Sequence, residues 1–174
     1  MTVICGPVTE PMPSRASIIP VERAREMGQA LRREAKRADV IIMAAAVADF
    51  QAARRPRGKL PRRAQMTVRL RSTPDLIGRL PRRIGQTIIG FALEADRVLK
   101  RASAKLRTKR LDVLIAQQAN GKGSPFGRRP VHAWMLSKSG SVKALGARDK
   151  SDVARAVFDA IGALRDGSLK ASAV

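Results

Sequence analysis

The sequence predicts an α/β fold built on a mostly parallel sheet, and three observations carry that prediction. Short apolar runs without polar alternation recur along the 174 residues: VIIMAAAV from Val40 to Val47, TIIGFA from Thr87 to Ala92, and VLIA from Val113 to Ala116. A strand that is apolar on both sides is covered on both faces, as parallel strands are. Between these runs lie stretches with helical periodicity, and strand–helix alternation favours parallel connections. Near the end, two short extended runs flank Ser137-Lys138-Ser139-Gly140, which reads as a hairpin and adds an antiparallel part. No internal repeat or low-complexity linker interrupts the chain. One domain over residues 1–165 is therefore expected, followed by a frayed tail over 166–174.

Each element has its own warrant. Thr2 to Cys5 reads as a strand that Gly6-Pro7 ends, with a proline-containing loop behind it. Ser17 to Val21 is a second extended run, and Pro20 places it at an edge or leading into a helix. From Glu22 to Lys36, Ala24, Met27, Leu31 and Ala35 recur at helical spacing among charges. The Val40–Val47 run should be a fully buried strand, placing Asp49 just beyond its carboxyl end. Met66 to Leu70 alternates as a half-exposed strand does. Thr73-Pro74-Asp75 carries a hydroxyl cap, a proline and an acid, and so predicts a short helix ending near Leu80-Pro81. Ala95 to Lys109 predicts a basic helix with Val98, Ala102 and Leu106 on one face. Gln117 to Pro130 is a glycine-containing loop, and Lys150 to Arg165 predicts a last helix with Val153, Val157, Ile161 and Leu164 inward.

Composition narrows the function. With 44% hydrophobic residues the chain can build a core, and its longest apolar run is far too short to span a bilayer. The start, MTVICGPVTEP, lacks a secretory pattern. The lone Cys5 makes no internal disulfide, which fits a reducing, cytoplasmic setting. Thirty-five Lys and Arg against 14 Asp and Glu give a formal charge of +21, which attracts anions. A nucleic-acid partner fits less well than a phosphorylated small molecule. Four Phe, one Trp and no Tyr leave little for base stacking.

The chemistry-bearing residues are few. His132, the one histidine, has no Cys or His at ligand spacing and reads as a strand residue beside Trp134; Cys5 reads as core. No nucleophile elbow, Walker loop or dinucleotide fingerprint is present. What remains is Asp49, a basic loop and a basic helix. Arg54, Arg55, Arg57, Lys59, Arg62 and Arg63 crowd one loop, either as a solvated segment or as a flap that clamps phosphates. Lys105 and Lys109 lie four apart on one helix face, either turned to water or reaching one anion. Asp49 either caps a turn or binds a ribose or metal. The Thr73-Pro74-Asp75 segment either caps a helix or offers N–H groups to phosphate. Together they suggest a nucleotide triphosphate site.

Several pieces resemble the phosphopantothenate–cysteine ligase family, the synthetase half of the bifunctional bacterial coenzyme A biosynthesis protein. They are VICGPV at Val3 to Val8, Met27, AAAVADF at Ala44 to Phe50, Lys59, TPDLI at Thr73 to Ile77, GFALE at Gly90 to Glu94, and Lys105 with Lys109. The resemblance implies a Rossmann-like three-layer fold and a CTP-dependent ligation. In it, 4′-phosphopantothenate is activated as an acyl-cytidylate with Mg²⁺ and then joined to cysteine. It implies that Met43, Ala44, Ala45 and Asp49 contact the nucleotide. Pro74, Asp75, Leu76, Ile77 and Phe91 would shape the base and ribose pocket, Lys105 and Lys109 would hold the triphosphate, and Lys59 would act as the catalytic lysine on the flap. It further implies a homodimer, with a phosphopantothenoylcysteine decarboxylase fused or separate.

The chain also departs from that pattern. The family's first strand, glycine-rich turn and helix, with its asparagine, has no counterpart before Thr2, so the expected sheet lacks its first βα unit. Pro61 stands where a second flap lysine is usual, and Ala116-Gln117-Gln118 replaces an A-N-D tripeptide, with Asn120 too late to match. Beyond Phe126, Arg128-Arg129-Pro130 stands where the family has an asparagine. Two alternatives therefore accompany the ligase expectation: an inactive nucleotide-binding remnant, and a basic nucleic-acid-binding protein.

Overall fold

In the computed structural model the described residues are 1–54, 57–119, 127 and 129–167. Their contacts gather into two units, one formed by 1–34 and 46–76, the other by 35–45 and 77 onward. The expected tail beyond Gly167, Arg55, Asn120, Phe126 and Arg128 lie outside the described residues.

In the first unit, β1 (Thr2–Cys5) pairs in parallel with β2 (Ser17–Pro20), and α1 (Ala24–Glu34) follows. Pro20, unable to donate to a ladder, ends β2. Glu26 starts the helix: its Oε2 accepts the backbone N–H of Glu22 at 2.9 Å and of Arg23 at 3.1 Å. This satisfies donors that a first turn otherwise leaves open. Those two bonds, aided by the nearby Arg23 guanidinium, hold the Glu26 carboxyl below its ordinary value of 4.5. A short hairpin completes the unit, with β4 (Phe50–Ala52) antiparallel to β5 (Leu70–Ser72).

In the second unit five strands lie in the order β3 (Val40–Met43), β6 (Thr87–Glu94), β7 (Val113–Gln118), β8 (Val131–Ser137), β9 (Val142–Arg148). β3, β6 and β7 are parallel, while β8 is antiparallel to both β7 and β9. All strands but β8 thus run one way, the mostly parallel sheet with a closing hairpin that the sequence predicts. α3 (Lys150–Arg165) covers one face. Its Val153, Val157 and Ala160 pack with Ile89, Val113, Ile115, Val131, Ala133 and Met135. α2 (Val98–Thr108) covers the other face, burying Ala102 and Leu106. The strand residues next in alternation, Ile88, Leu114 and Leu136, are buried on that side. Each such aliphatic side chain contributes roughly 1.5–3 kcal/mol by leaving water.

Three expectations are corrected. The Val40 strand ends at Met43 instead of Val47 and is an edge strand, with Ile42 exposed; a run of small alanines adds too little buried area to extend it. Thr73-Pro74-Asp75 starts no helix. A single turn follows, with the Leu80 N–H donating to the Ile77 carbonyl at 3.1 Å. The proline at 81 disfavours helical backbone just before it. The half-exposed strand expected at Met66 to Leu70 forms only at Leu70–Ser72, where β4 supplies a partner. α2 begins at Val98, after Arg97 takes a left-handed conformation with φ 46°.

Candidate functional site

The carboxyl ends of β3, β6 and β7 gather Met43, Ala44, Ala45, Phe91 and, through its side chain, Lys105. Met43 closes β3 beside Gly90 of β6, and exposed Ala44 and Ala45 lead the chain away. Phe91 is half-buried and pairs with Ile115. Gly90 is small for a reason: a Cβ there would lie 2.6 Å from Leu111 Cδ1 and 3.3 Å from Leu114 Cδ1. At the last residue of β6, Glu94 is buried, and its backbone carbonyl accepts the Ala119 N–H at 2.8 Å.

Lys105 reaches back from α2, and its Nζ donates to Glu94 Oε1 at 2.9 Å. Helical side chains lean toward the N-terminus of their helix, which is why a residue in the third turn meets the strand end. Glu94 closes the GFALE motif, and the pair was not anticipated; a buried acid and a lysine 11 residues later carry no spacing rule. Lys109 lies one turn further on, at the carboxyl end of α2, and its backbone N–H donates to the Lys105 carbonyl at 2.9 Å. Ile77 is buried in the turn before Leu80.

The remaining predicted residues belong to the first unit. Asp49 is exposed, and its backbone carbonyl accepts the Thr73 N–H at 2.8 Å, tying the start of the hairpin to the TPDLI segment. Pro74 and Asp75 are exposed and Leu76 is half-buried. Lys59 is exposed in the basic loop. His132 is exposed on β8, and the Cys5 thiol donates to the Gly6 carbonyl at 3.1 Å. Among the described residues no three of His, Cys, Asp and Glu lie together to hold a metal.

At the opposite, amino-terminal end of the strands a second cluster forms around Asp112, whose side chain is 3% exposed. Its Oδ2 accepts a bond from the Arg82 guanidinium and the Ile88 N–H at 2.8 Å, and its Oδ1 takes Lys138 Nζ at 2.6 Å. A cavity of about 310 Å³ opens beside it. Its partners come from the loop before β6, from β6 itself and from the β8–β9 turn, 24 to 30 residues away, so sequence spacing offers no signal for them.

The matching family is described as "DNA/pantothenate metabolism flavoprotein C-terminal domain" and covers residues 1–164. A cysteine/cysteine sulfinic acid decarboxylase from an unspecified prokaryote is 32% identical over 159 residues, 88% of this chain and 44% of that protein. The coenzyme A biosynthesis bifunctional protein CoaBC of Bacillus subtilis is 31% identical, covering 93% of this chain and 41% of its own length. The chain thus spans less than half the length of these curated relatives. The crystal structure of the C-terminal domain of a CoaBC protein superposes with a TM-score of 0.77 at 26% identity, covering 95% of this chain and 74% of that one. That likeness places the fold in the Rossmann-like α/β class that the sequence predicts.

These matches correct the ligase expectation. The names they carry are flavoprotein, coenzyme A biosynthesis and decarboxylase, and none names a ligase, CTP or a metal. The assignment as phosphopantothenate–cysteine ligase is replaced. With it go CTP and Mg²⁺ as co-substrate and ion, 4′-phosphopantothenate and cysteine as substrates, the homodimer, and the remnant and nucleic-acid alternatives. The physical reason is that short motifs at strand ends report the turns of a fold, and a fold hosts many chemistries. Lys105, expected to meet a triphosphate, is already paired with Glu94. Coenzyme A biosynthesis is the part of the expectation that a relative's name shares.

The word flavoprotein raises the question of a flavin. An isoalloxazine needs flat apolar walls. The described cavity is lined by Arg82, Arg83, Lys138, Asp112 and other polar groups, with Leu164 as its aliphatic side chain. Those residues do not fit the ring system. Among the described residues no helix is long and apolar enough to cross a membrane.

Proposed function

The chain belongs to the DNA/pantothenate metabolism flavoprotein C-terminal domain family, and from that membership we propose that it serves coenzyme A biosynthesis as part of a flavoprotein that decarboxylates phosphopantothenoylcysteine. Its own share, in this reading, is to bind the phosphorylated pantothenoyl chain of that substrate at the carboxyl ends of β3, β6 and β7, while the flavin sits on another part of the longer protein. The family match over residues 1–164 carries the proposal.

The geometry lends support in three respects. Ligands of open α/β sheets bind beyond the carboxyl ends of the strands. Lys105 is held there at 2.9 Å by Glu94, with two of its three ammonium protons left to donate. Met43 and Phe91 offer apolar surface for the pantothenoyl chain, and Ala44 and Ala45 let it approach the backbone. Asp49, Lys59, Pro74, Asp75 and Leu76 remain candidate contacts within the first unit, and Ile77 and Lys109 within the second. The setting it implies is the cytoplasm, with Cys5 reduced.

The test is calorimetric titration of the whole chain with phosphopantothenoylcysteine. Lys105→Gln is expected to weaken binding about tenfold or more, the worth of one charge-assisted bond, with the folded-state circular dichroism unchanged. Absence of binding by the unaltered chain, or equal affinity for Lys105→Gln, overturns the reading.

A further inference from the structure

The cavity at the amino-terminal ends of the strands, away from the Lys105 site, has features of its own. Three cations line it, Arg82, Arg83 and Lys138, against Asp112 in the lining and Asp39, which pairs with Arg83 at 3.1 Å. A buried carboxylate needs one cation for neutrality, so the lining carries charge in excess. Asp112 spends three of its roughly four acceptor positions on Arg82, the Ile88 N–H and Lys138, and its side chain is 3% exposed. Its part is to orient its two cations. Arg82 is fixed further by the carbonyls of Arg110 at 2.6 Å and Gln86 at 2.8 Å.

Donors are left over. Lys138 Nζ makes one bond, to Asp112, and keeps two protons. Arg83 spends only Nη2, on the Ala38 carbonyl and on Asp39, so its Nε and Nη1 stay available. Gly85, at φ +77°, has no atom within 4 Å of where a Cβ would be, so a ligand can approach its backbone closely. Oriented cationic donors that outnumber the neighbouring carboxylates, together with an open backbone, select for an oxyanion. We propose that this pocket binds a phosphate group, free or as a compact phosphomonoester. This site stands independently of the reading given for Lys105.

The experiment is an amide NMR titration of the full chain with inorganic phosphate, at ionic strength held constant with chloride. The expected result is saturable shifts at Gly85, Gln86, Thr87 and Lys138. The double variant Arg83→Gln/Lys138→Gln should weaken the affinity about tenfold or more, and its circular dichroism should match that of the unaltered chain. Both side chains are largely outside the core, and the titration of the unaltered chain stands even if the variant misfolds. Shifts spread evenly over the basic surface, absence of saturation, or unchanged affinity in the folded double variant overturns the proposal.

Discussion

Gly90 shows how one residue's size is set by what faces it. The Leu111 and Leu114 side chains that a Cβ would strike are themselves 3% and 0% exposed, so neither can swing away. Gly90→Ala should destabilise the fold by about 1–3 kcal/mol, the usual cost of forcing a methyl into a filled core; urea unfolding would measure it, and no change in midpoint would contradict the packing described. The sequence shows Gly90 only as part of a motif, GFALE, and the steric reason for it lies in residues over 20 positions away. Glu94 and Asp112 escaped the sequence for the same cause. A buried acid is recognisable only through its partners, and those of Asp112 are Arg82 and Lys138, 30 and 26 residues distant.

At the scale of the element, periodicity was the legible signal. The last helix has the predicted bounds, Lys150–Arg165, because its apolar stripe is regular over four turns. The failures fall where the signal was a cap without a stripe to bury: Thr73-Pro74-Asp75 has start chemistry but too few apolar residues before Pro81 to sustain a helix. The hairpin partner β4 was missed because Phe50–Ala52 is three residues long. α1 carries an acid-sensitive start. The Glu26 carboxylate, held below 4.5 by the Glu22 and Arg23 N–H groups, stabilises the fold above that pH, and the contribution is lost as pH falls through its folded-state value. Stability measured from pH 6 downward should therefore fall less steeply in Glu26→Gln than in the unaltered chain; parallel curves would show that the two bonds do not persist in solution.

For the whole molecule, the formal charge of +21 is the dominant physical fact. Only 14 acids oppose 35 bases, so self-repulsion works against every compact state of the chain. Thermal unfolding followed by calorimetry should shift to higher temperature from low salt to about 0.5 M NaCl, where the screening length falls to roughly 4 Å. A midpoint that stays or falls would mean that local ion pairs, such as Arg83 with Asp39, outweigh the global repulsion. The fold class was readable at this scale because strand and helix alternate. The chemistry was not, because the shared motifs mark strand ends that many reactions use.

Asp112 has a bearing on how the molecule comes apart. Its backbone N–H donates to the Ile88 carbonyl at 2.8 Å, its carbonyl accepts the Lys138 N–H at 2.9 Å, and its carboxylate takes Arg82, Lys138 and the Ile88 N–H. One residue thus knots the entry to β6, the start of β7 and the tip of the β8–β9 hairpin. Pulling any one of these free strips bonds from a carboxylate that is 3% exposed and so weakens the hold on the others. In hydrogen exchange the amides of Ile88, Asp112 and Lys138 should therefore surrender their protons at one common rate, with that end of the sheet opening in a single step.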